Sequence, residues 1–478
     1  MRTLLASTGL SNSFFCPWSP YSCSFAVESP IPPAYICGLV FNSCLFALFS
    51  SACIRGTFRD SLLQMASLFQ RRKAGLPFIL ATVFLDMLGF GIVIPVLPAL
   101  VSTMAADKPA QAYWYGALLA SYGVAQFFSA PLLGAISDRF GRRSVLLISI
   151  FGLSLNFFIT AISPWLWLLL VSRLIGGASG ASYTVAGAYI ADVTTPENRS
   201  RSFGLMGAVF GLGFICGPMI GGLLAADNLR LPYYVAAVLA LLNWLNGYFI
   251  LPESLPKDRR TPIDFKKVNP FSAIVALTQV RGIGNLILVY IFSVFGQFVL
   301  QTNWVLYTSF RFNWGPRENG VSLFVVGVVS AVVQAGLLGI LLKRLGDTRT
   351  ALAGMASSTV AYVLYGLAFQ GWMMYAIILG NMLGFVINPA LQGIVSKAVD
   401  PRHQGITLGS LNSISSIMGV IAPLVGTPLL AQVSGLPATD WRVGIVFFLA
   451  ALGQGIAFAL AYFHFRKTRV KVSLAEPA

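Results

Sequence analysis

From about residue 75 onward, the chain is a succession of apolar segments that are each long enough to cross a membrane. A helix needs ~20 apolar residues to cross a hydrocarbon core roughly 30 Å thick. The chain is 56% hydrophobic and only 10% charged, with a mean hydropathy of +0.76, whereas soluble proteins have about 25% charged residues. Because the charges are too few to coat a soluble surface, the sequence predicts an all-α integral membrane protein.

The apolar segments predict twelve transmembrane helices, with tryptophans near their ends as in an interfacial belt. Their predicted boundaries are 76–101, 112–136, 145–163, 165–190, 201–225, 231–251, 282–310, 319–342, 350–370, 372–396, 404–433 and 441–464. The proline-containing polar stretch 252–281 separates an N-terminal six-helix bundle (71–251) from a C-terminal one (282–464), which a tail (465–478) follows. We interpret 252–281 as a linker, because it is too polar to span and too short for a domain.

Residues 1–70 form an atypical N-terminal extension rich in Ser, Pro, Phe and Cys. The run from Met65 to Lys73 has the form of an ordinary start, a short basic leader before a first span. We therefore interpret the preceding residues as a mistaken start, with the native protein beginning near Met65. The apolar piece 35–54 starts too late for a signal peptide, and the cysteine spacings match no zinc pattern.

The two predicted bundles share an internal repeat with a constant offset of 205 residues. The polar run 134–143 (GAISDRFGRR) returns in altered form at 339–348 (GILLKRLGDT). The same offset aligns Pro196 with Pro401, Gly204 with Gly409, Pro218 with Pro423 and Gly221 with Gly426. Parallel repeats about an axis along the membrane normal are typical of one large class of secondary transporter. We expect two six-helix bundles related by pseudo-two-fold symmetry.

The net charge of +16 is distributed unevenly along the predicted topology. Most Lys and Arg residues fall in turns on one side, including the turn 138–143 and the linker. By the positive-inside rule, this predicts a multi-pass membrane protein with both ends of its core in the cytoplasm. Topology thus explains the basic excess without nucleic-acid binding.

One acidic residue, Asp86, lies deep within a predicted span, about 15 Å along its helix from Leu76. A carboxylate at that depth is costly unless it is paired or protonated, as a proton-coupling site requires. Arg173 lies in the interior of another span and cannot lose its proton. We expect these two residues to form an ion pair that opens on protonation. The alternatives are a carboxyl that only joins helices and an arginine that reaches the interface.

The polar turn 134–143 is predicted to gate the cytoplasmic end, and the alternative for its arginines is that they only set the topology. Its glycines permit close packing and a tight turn, and Asp138 can accept hydrogen bonds from a neighbouring helix N-terminus. Asp192 closes a helix, where a carboxylate opposes the dipole, so it should pair with an arginine. The Gly217–Pro218 run predicts close helix packing and a fixed bend. The predicted gating residues are Gly134, Asp138, Arg139, Gly141, Arg142, Arg143, Asp192, Gly217 and Pro218.

Uncharged polar side chains dominate the interior of the predicted second bundle. With the abundant Phe and Met they suit a large amphipathic ligand, although such amides can also bind only other helices. The predicted substrate-binding residues are Gln126, Asn156, Gln297, Gln301, Gln334, Asn381, Asn388 and Gln392. We predict no metal site and no cofactor, since a proton gradient would drive transport. Membrane lipids, protons and a small substrate are the expected partners of a functional monomer.

These motifs resemble the signature of the major facilitator superfamily, and more narrowly its twelve-helix drug:proton antiporters of the tetracycline-efflux branch. The resemblance extends from about residue 76 to 464 and includes 85–98 (LDMLGFGIVIPVLP), 138–143 (DRFGRR), 173–177 (RLIGG), 188–192 (AYIAD), 251–254 (LPES) and 389–393 (PALQG). It implies the fold of that superfamily, efflux rather than uptake, proton coupling and alternating access. The positions that match family motifs are Asp86, Asp138, Arg142, Arg173, Asp192, Gln297 and Gln334.

The chain departs from the tetracycline pumps at three ionisable positions. The resemblance places carboxylates where this chain has Asn156 and Ser358, and a histidine where it has Ser330. A magnesium–tetracycline chelate is a cation, so the loss of two carboxylates should weaken its binding. Tetracycline-like compounds, free or as a metal chelate, are thus the leading substrate class to test, but the resemblance does not decide the drug.

Three other functions are weighed against efflux. A proton-coupled symporter for a small organic nutrient or metabolite would share the fold, but the Gly-Pro run of the fifth helix is typical of antiporters. An enzyme would need a clustered nucleophile, base or metal set, and both histidines, His403 and His464, lie at predicted helix ends. A receptor or scaffold would move no protons when its ligand binds.

Overall fold

The computed structural model describes residues 75–180, 182–262, 284–399 and 404–475, which form helices and short turns without a strand. The first half contains α1 (Gly75–Val93), α2 (Leu97–Ser102), α3 (Lys108–Phe140), α4 (Arg142–Ile162), α5 (Leu166–Ser179), α6 (Ser182–Val193), α7 (Pro196–Leu224) and α8 (Leu231–Ile250). The second contains α9 (Gly284–Phe312), α10 (Pro316–Val332), α11 (Leu338–Leu367), α12 (Gly371–Gly380), α13 (Ile387–Lys397), α14 (Gln404–Val433) and α15 (Ile445–Ala475). The predicted extension with its start near Met65, linker residues 263–281, and the first two residues of the predicted second bundle lie outside the described residues.

The twelve predicted spans can be placed on these helices. Ten helices of the described chain are long and apolar enough to cross a membrane, and the bent pair formed by α12 and α13 adds one more. One of the ten, Pro316–Leu367, has 52 residues, more than twice the ~20 that a span needs. It is interrupted at Gly346, whose φ of 75° and ψ of 166° are not helical. This long helix therefore comprises the eighth and ninth spans.

Three predicted helices are interrupted, which corrects their predicted continuity. The first stops at Val93 and resumes as α2, because Pro95 lies between them and proline lacks the N–H of a helix interior. The fourth breaks at Gly180, between α5 and α6, and the tenth breaks at Asn381, between α12 and a 3₁₀ turn. The twelfth helix instead continues to Ala475, into the predicted tail.

Glycines of α7 bring this helix against the backbone of α1. A methyl group added at Gly221 would lie 2.1 Å from the carbonyl oxygen of Ile92, and one at Gly217 would lie 2.7 Å from that of Leu88. Such contacts allow no side chain, so the close packing expected of the Gly217 run is present. The helix passes through Pro218 without interruption. The α1 helix, which carries Asp86, is therefore held tightly by α7.

The two halves meet along two helix pairs, α3 with α14 and α7 with α10. We call the end of the bundle that carries the turn 138–143 the basic end. At the opposite end the pairs are in close contact: a methyl group at Gly116 would lie 1.9 Å from the side-chain atom Oγ1 of Thr427. One at Gly222 would lie 2.5 Å from the carbonyl oxygen of Pro316. The halves are thus closed together at the end opposite the basic end.

The same helix pairs are separated at the basic end. Gly134 and Gly409 lie about five turns from Gly116 and Thr427, on the same faces of α3 and α14, and neither has an atom within 4 Å of an added methyl group. Gly204 of α7 and Gly339 of α11 are equally open. The close packing predicted for Gly134 is therefore absent in this state. The molecule opens between its halves toward the basic end.

Candidate functional site

The helix breaks at Gly180 and Asn381 occupy corresponding spans, the fourth and the tenth, in the two halves. At the first, Nε2 of Gln126 donates to the carbonyl oxygen of Gly180 at 3.3 Å. At the second, Oδ1 of Asn381 accepts from Oγ of Ser357 at 2.9 Å. Interrupted helices in matching positions mark the binding region of repeat transporters. Here the predicted substrate residues Gln126 and Asn381 stabilise the breaks.

Asp86 lies on α1 beside the first of these breaks. Its side chain is 4% exposed, and its Oδ1 atom is buried without a hydrogen-bond partner in the described chain. The hydroxyl of Ser182, the first residue of α6, interacts with the carboxyl group. A buried carboxylate with an unpaired oxygen is stable only when a proton or a cation compensates its charge. The site can therefore bind and release a proton.

Arg173 does not pair with Asp86, which corrects the expected ion pair. Its Nη2 atom donates to Oγ1 of Thr160 at 3.2 Å, and no described carboxylate oxygen lies within 4.0 Å of it. The reason is geometric, since Arg173 is directed toward α4 while Asp86 contacts α6. Tyr122 of α3 interacts electrostatically with both charges. The two groups thus belong to one polar region without direct contact.

The surroundings of Arg173 contain several buried polar atoms without partners. Asn156 is 1% exposed, and neither atom of its amide group is hydrogen-bonded in the described chain. It packs against Gly176, one turn along α5 from Arg173. The hydroxyl of Tyr233 and Nε of Arg173 also lack partners there. Buried polar groups are normally satisfied, so this cluster can hold water or polar groups of a ligand.

The predicted amides of the second half differ in their surroundings. Nδ2 of Asn388 donates to Oε1 of Gln297 at 2.6 Å, joining α13 to α9. Gln301, Gln334 and Gln392 have exposed side chains. Gln334 stands on a π-helical turn, Val333–Leu337, and donates to Oγ of Ser330. Such turns are frequent at functional sites, which favours Gln334 as a ligand-contacting residue.

A metal site in the described part of the chain would consist of clustered His, Cys, Asp and Glu side chains. No group of three or more His, Cys, Asp or Glu residues is arranged there to hold an ion. The polar groups described in the central region are amides, hydroxyls, the guanidinium of Arg173 and the carboxyl group of Asp86.

A network of charges at the basic end is centred on Arg142, as predicted for the gate. Its Nη1 atom lies 2.6 Å from Oδ1 of Asp138, and its Nε atom lies 3.2 Å from Oδ2 of Asp192. The same guanidinium donates to Oγ of Ser137 at 2.5 Å. Gly141 has a φ of 105°, a conformation that glycine adopts at little cost. One arginine thus joins the end of α3 to the end of α6.

Glu253, just after α8, is a member of this network that the sequence interpretation missed. Its Oε1 atom accepts hydrogen bonds from the backbone N–H groups of Arg142 at 2.8 Å and of Arg143 at 3.5 Å. Its Oε2 atom lies 3.9 Å from Nη2 of Arg260. The carboxylate therefore caps α4 from a distant segment, the role expected of Asp138. Its position in the LPES motif was the available signal.

Two predicted gating arginines have other surroundings. Nη2 of Arg143 donates to the carbonyl oxygen of Tyr248 at 2.6 Å, which connects α4 to the end of α8. The guanidinium of Arg139 stacks on the neighbouring ring of Phe140, 5.3 Å from its centroid. Arg139 therefore stands beside the network and makes no ion pair within the described residues.

Glu253→Gln is expected to lower stability by ~1 kcal/mol, because α4 loses a negative charge at its N-terminus. The measurement is the apparent unfolding temperature of the purified protein in detergent. Asp258→Asn makes the same chemical change on an exposed residue of the same segment and serves as the control. Equal unfolding temperatures for the two variants would contradict the capping role.

Comparison with known proteins agrees with this architecture. The Major Facilitator Superfamily profile matches residues 79–423. The chain is 41% identical to the class C tetracycline resistance protein of Escherichia coli, over 78% of this chain and 94% of that protein. It is 37% identical to the class G protein of Vibrio anguillarum, over 78% and 95%.

A solved nucleoside transporter has the same fold at low sequence identity. It superimposes with a TM-score of 0.63 at 16% identity, over 82% of this chain and 98% of that one. The profile spans most of the helical core, and the identities to tetracycline resistance proteins cover nearly their whole length. The chain therefore belongs to the major facilitator superfamily, within the group of the tetracycline resistance proteins.

Proposed function

We propose that this multi-pass membrane protein, a drug-efflux transporter of the major facilitator superfamily, exchanges a proton bound at Asp86 for an amphipathic compound. The observation that carries the proposal is the burial of the Asp86 carboxyl group without an ion-pair partner in the described chain. It is the only buried carboxylate among the described residues, and one of its oxygens has no partner there. Because no described cation balances its charge, the ionised form of Asp86 is costly inside the bundle. Uptake or release of a proton at Asp86 should therefore change how α1 packs against its neighbours.

The opening between the halves supports alternating access. The bundle is closed at one end by Gly116 and Gly222 and open at the basic end. If the basic end is cytoplasmic, as the distribution of Lys and Arg indicates, this state admits substrate from the cytoplasm. Protonation of Asp86 from the outside would accompany the return step, with the Arg142 network positioning the cytoplasmic ends of α3, α4 and α6.

The proposed substrate is a large amphipathic drug, and tetracycline-like compounds are the leading class. The similarity to tetracycline resistance proteins supports that class. Gln334 on its π-helical turn and the unbonded amide of Asn156 would supply polar contacts. We further propose that the chain resides in the inner membrane with both ends of its core cytoplasmic, and that it acts as a monomer.

The test is proton movement in energised everted vesicles that contain the full chain. A panel of compounds, with tetracycline included, is added while the internal pH is followed by a fluorescent dye. An antiporter releases stored protons when its substrate enters, and vesicles without the protein do not. Absence of release for every compound, including those to which the protein confers resistance in a pump-deleted host, would refute the proposal.

The alternative is a proton-coupled symporter for a nutrient. The same vesicle assay, started without a proton gradient, distinguishes it from an antiporter. A symporter would carry protons inward with the added compound, so the signal would have the opposite sign in vesicles without a gradient.

A further inference from the structure

Two turns at the basic end share a backbone geometry, although their charges differ. Gly141 and Gly346 are the two glycines with positive φ in the described residues, at 105° and 75°. They are separated by 205 positions, the offset of the internal repeat. A charged residue follows each glycine and begins the next helical segment, Arg142 in the first half and Asp347 in the second. The two turns are therefore structural copies.

Each of these charged residues forms an ion pair with a residue 50 positions further along. Arg142 pairs with Asp192 at 3.2 Å, and Asp347 accepts a hydrogen bond from Nζ of Lys397. The partners Asp192 and Lys397 are also 205 positions apart. The first half thus has a positive charge at the turn and a negative partner, and the second half has a negative charge at the turn and a positive partner. Both pairs attract.

A third charge follows the same inversion. Lys343 occupies the position that corresponds to Asp138. Arg142 and its two ion-pair partners, Asp138 and Asp192, are therefore inverted together at the corresponding positions, which an unrelated surface ion pair would not explain.

Helix dipoles favour the polarity of the second pair. Asp347 stands at the start of a helix, where negative charge is stabilised, and Lys397 is the last residue of α13, where positive charge is stabilised. Arg142 and Asp192 oppose the dipoles of α4 and α6, and Glu253 supplies the carboxylate that α4 then needs. The second pair needs no such cap, because Asp347 itself supplies the negative charge at the start of its helix.

We propose that Asp347 and Lys397 form a second gating latch, the charge-inverted counterpart of Arg142 and Asp192. The latch positions the start of the ninth span against the end of the tenth at the basic end. Its role in transport rests on the proposed efflux function. Both are positioning residues at the basic end and outside the predicted substrate-binding set. Breaking the pair should therefore lower the maximal rate and leave the KM for substrate unchanged.

Charge reversal tests the latch in the full-length protein. Asp347→Lys should lower the maximal rate of proton exchange about three- to fivefold, the scale of an exposed ion pair. Adding Lys397→Asp should restore much of the rate, although not all, because the reversed pair opposes both dipoles. Adding Arg344→Asp instead gives the same net charge but places no carboxylate opposite position 347, so it should not restore the rate. Asp347→Glu should stay near the wild-type rate.

Limited trypsin digestion of everted vesicles gives a readout that does not depend on transport. Loss of the pair should speed cleavage at Arg349, a site beside the turn that every variant keeps, and only the Lys397→Asp second change should reverse this. Equal rescue by both second changes, or no effect of Asp347→Lys on rate and cleavage, would overturn the proposal. If the wild-type chain exchanges no protons, the efflux function fails and the digestion alone decides on the latch.

Discussion

Asp86→Asn is expected to abolish substrate-driven proton release from everted vesicles, to the level of vesicles without the protein. The amide cannot take up a proton in this pH range, so the cycle loses its coupled step. Folding should survive, because the carboxyl group has one unpaired oxygen and forms no ion pair in the described chain. Replacing it with a neutral group of equal size also removes a buried charge that is costly when ionised.

Substrate–substrate exchange separates the loss of coupling from the loss of binding. Asp86→Asn should still exchange labelled for unlabelled substrate across the membrane, since that reaction needs no net proton movement. Asp227→Asn makes the same change on an exposed loop and should keep full proton release. Normal proton release in the Asp86→Asn variant would sink the assignment of Asp86 as the coupling residue.

The second large effect is expected from Gly222→Leu, which inserts a side chain where the two halves are in backbone contact. The added Cβ would lie 2.5 Å from the carbonyl oxygen of Pro316, and backbone cannot yield as a side chain can. Overpacking of this kind costs about 1–3 kcal/mol, which corresponds to a population shift of roughly 5- to 150-fold. The state open at the basic end should therefore lose population, and transport should fall by roughly fivefold or more.

Thiol labelling measures this shift directly. In a background without the six native cysteines, Gln334→Cys should react from the basic end, and Gly222→Leu should slow that reaction. Gly284→Leu, at a glycine with no atom within 4 Å of an added methyl group, is the matched control. The converse variant Gly409→Leu should obstruct closure of the basic end and leave labelling fast. Unchanged labelling in Gly222→Leu would contradict the arrangement of the halves.

Much of this architecture is readable before any coordinates are known. Hydropathy predicts the spans, because each apolar segment must reach across the same hydrocarbon thickness. The offset of 205 predicts two related bundles, and it aligns Gly141 with Gly346, the two glycines that adopt positive φ. The pairing of Asp192 with an arginine is also confirmed, since a carboxylate at a helix C-terminus needs a cation.

Other features depend on which helices become neighbours, and sequence patterns carry little of that information. Arg173 was expected to reach Asp86 because these were the two charges inside spans, yet it bonds Thr160. Glu253 caps a helix more than 100 residues away in sequence. In the second turn, Asp347 acquires its partner Lys397 only through the fold.

The sequence by itself determined the membrane class, the number of spans, the repeat and the charged turn at the basic end, because each follows from local composition or from a constant spacing. The tertiary structure alone decided the partners of Asp86 and Arg173, the breaks at Gly180 and Asn381, and the end at which the halves part. Those features depend on distances between helices, and helices distant in sequence come within hydrogen-bonding range only when the bundle is packed.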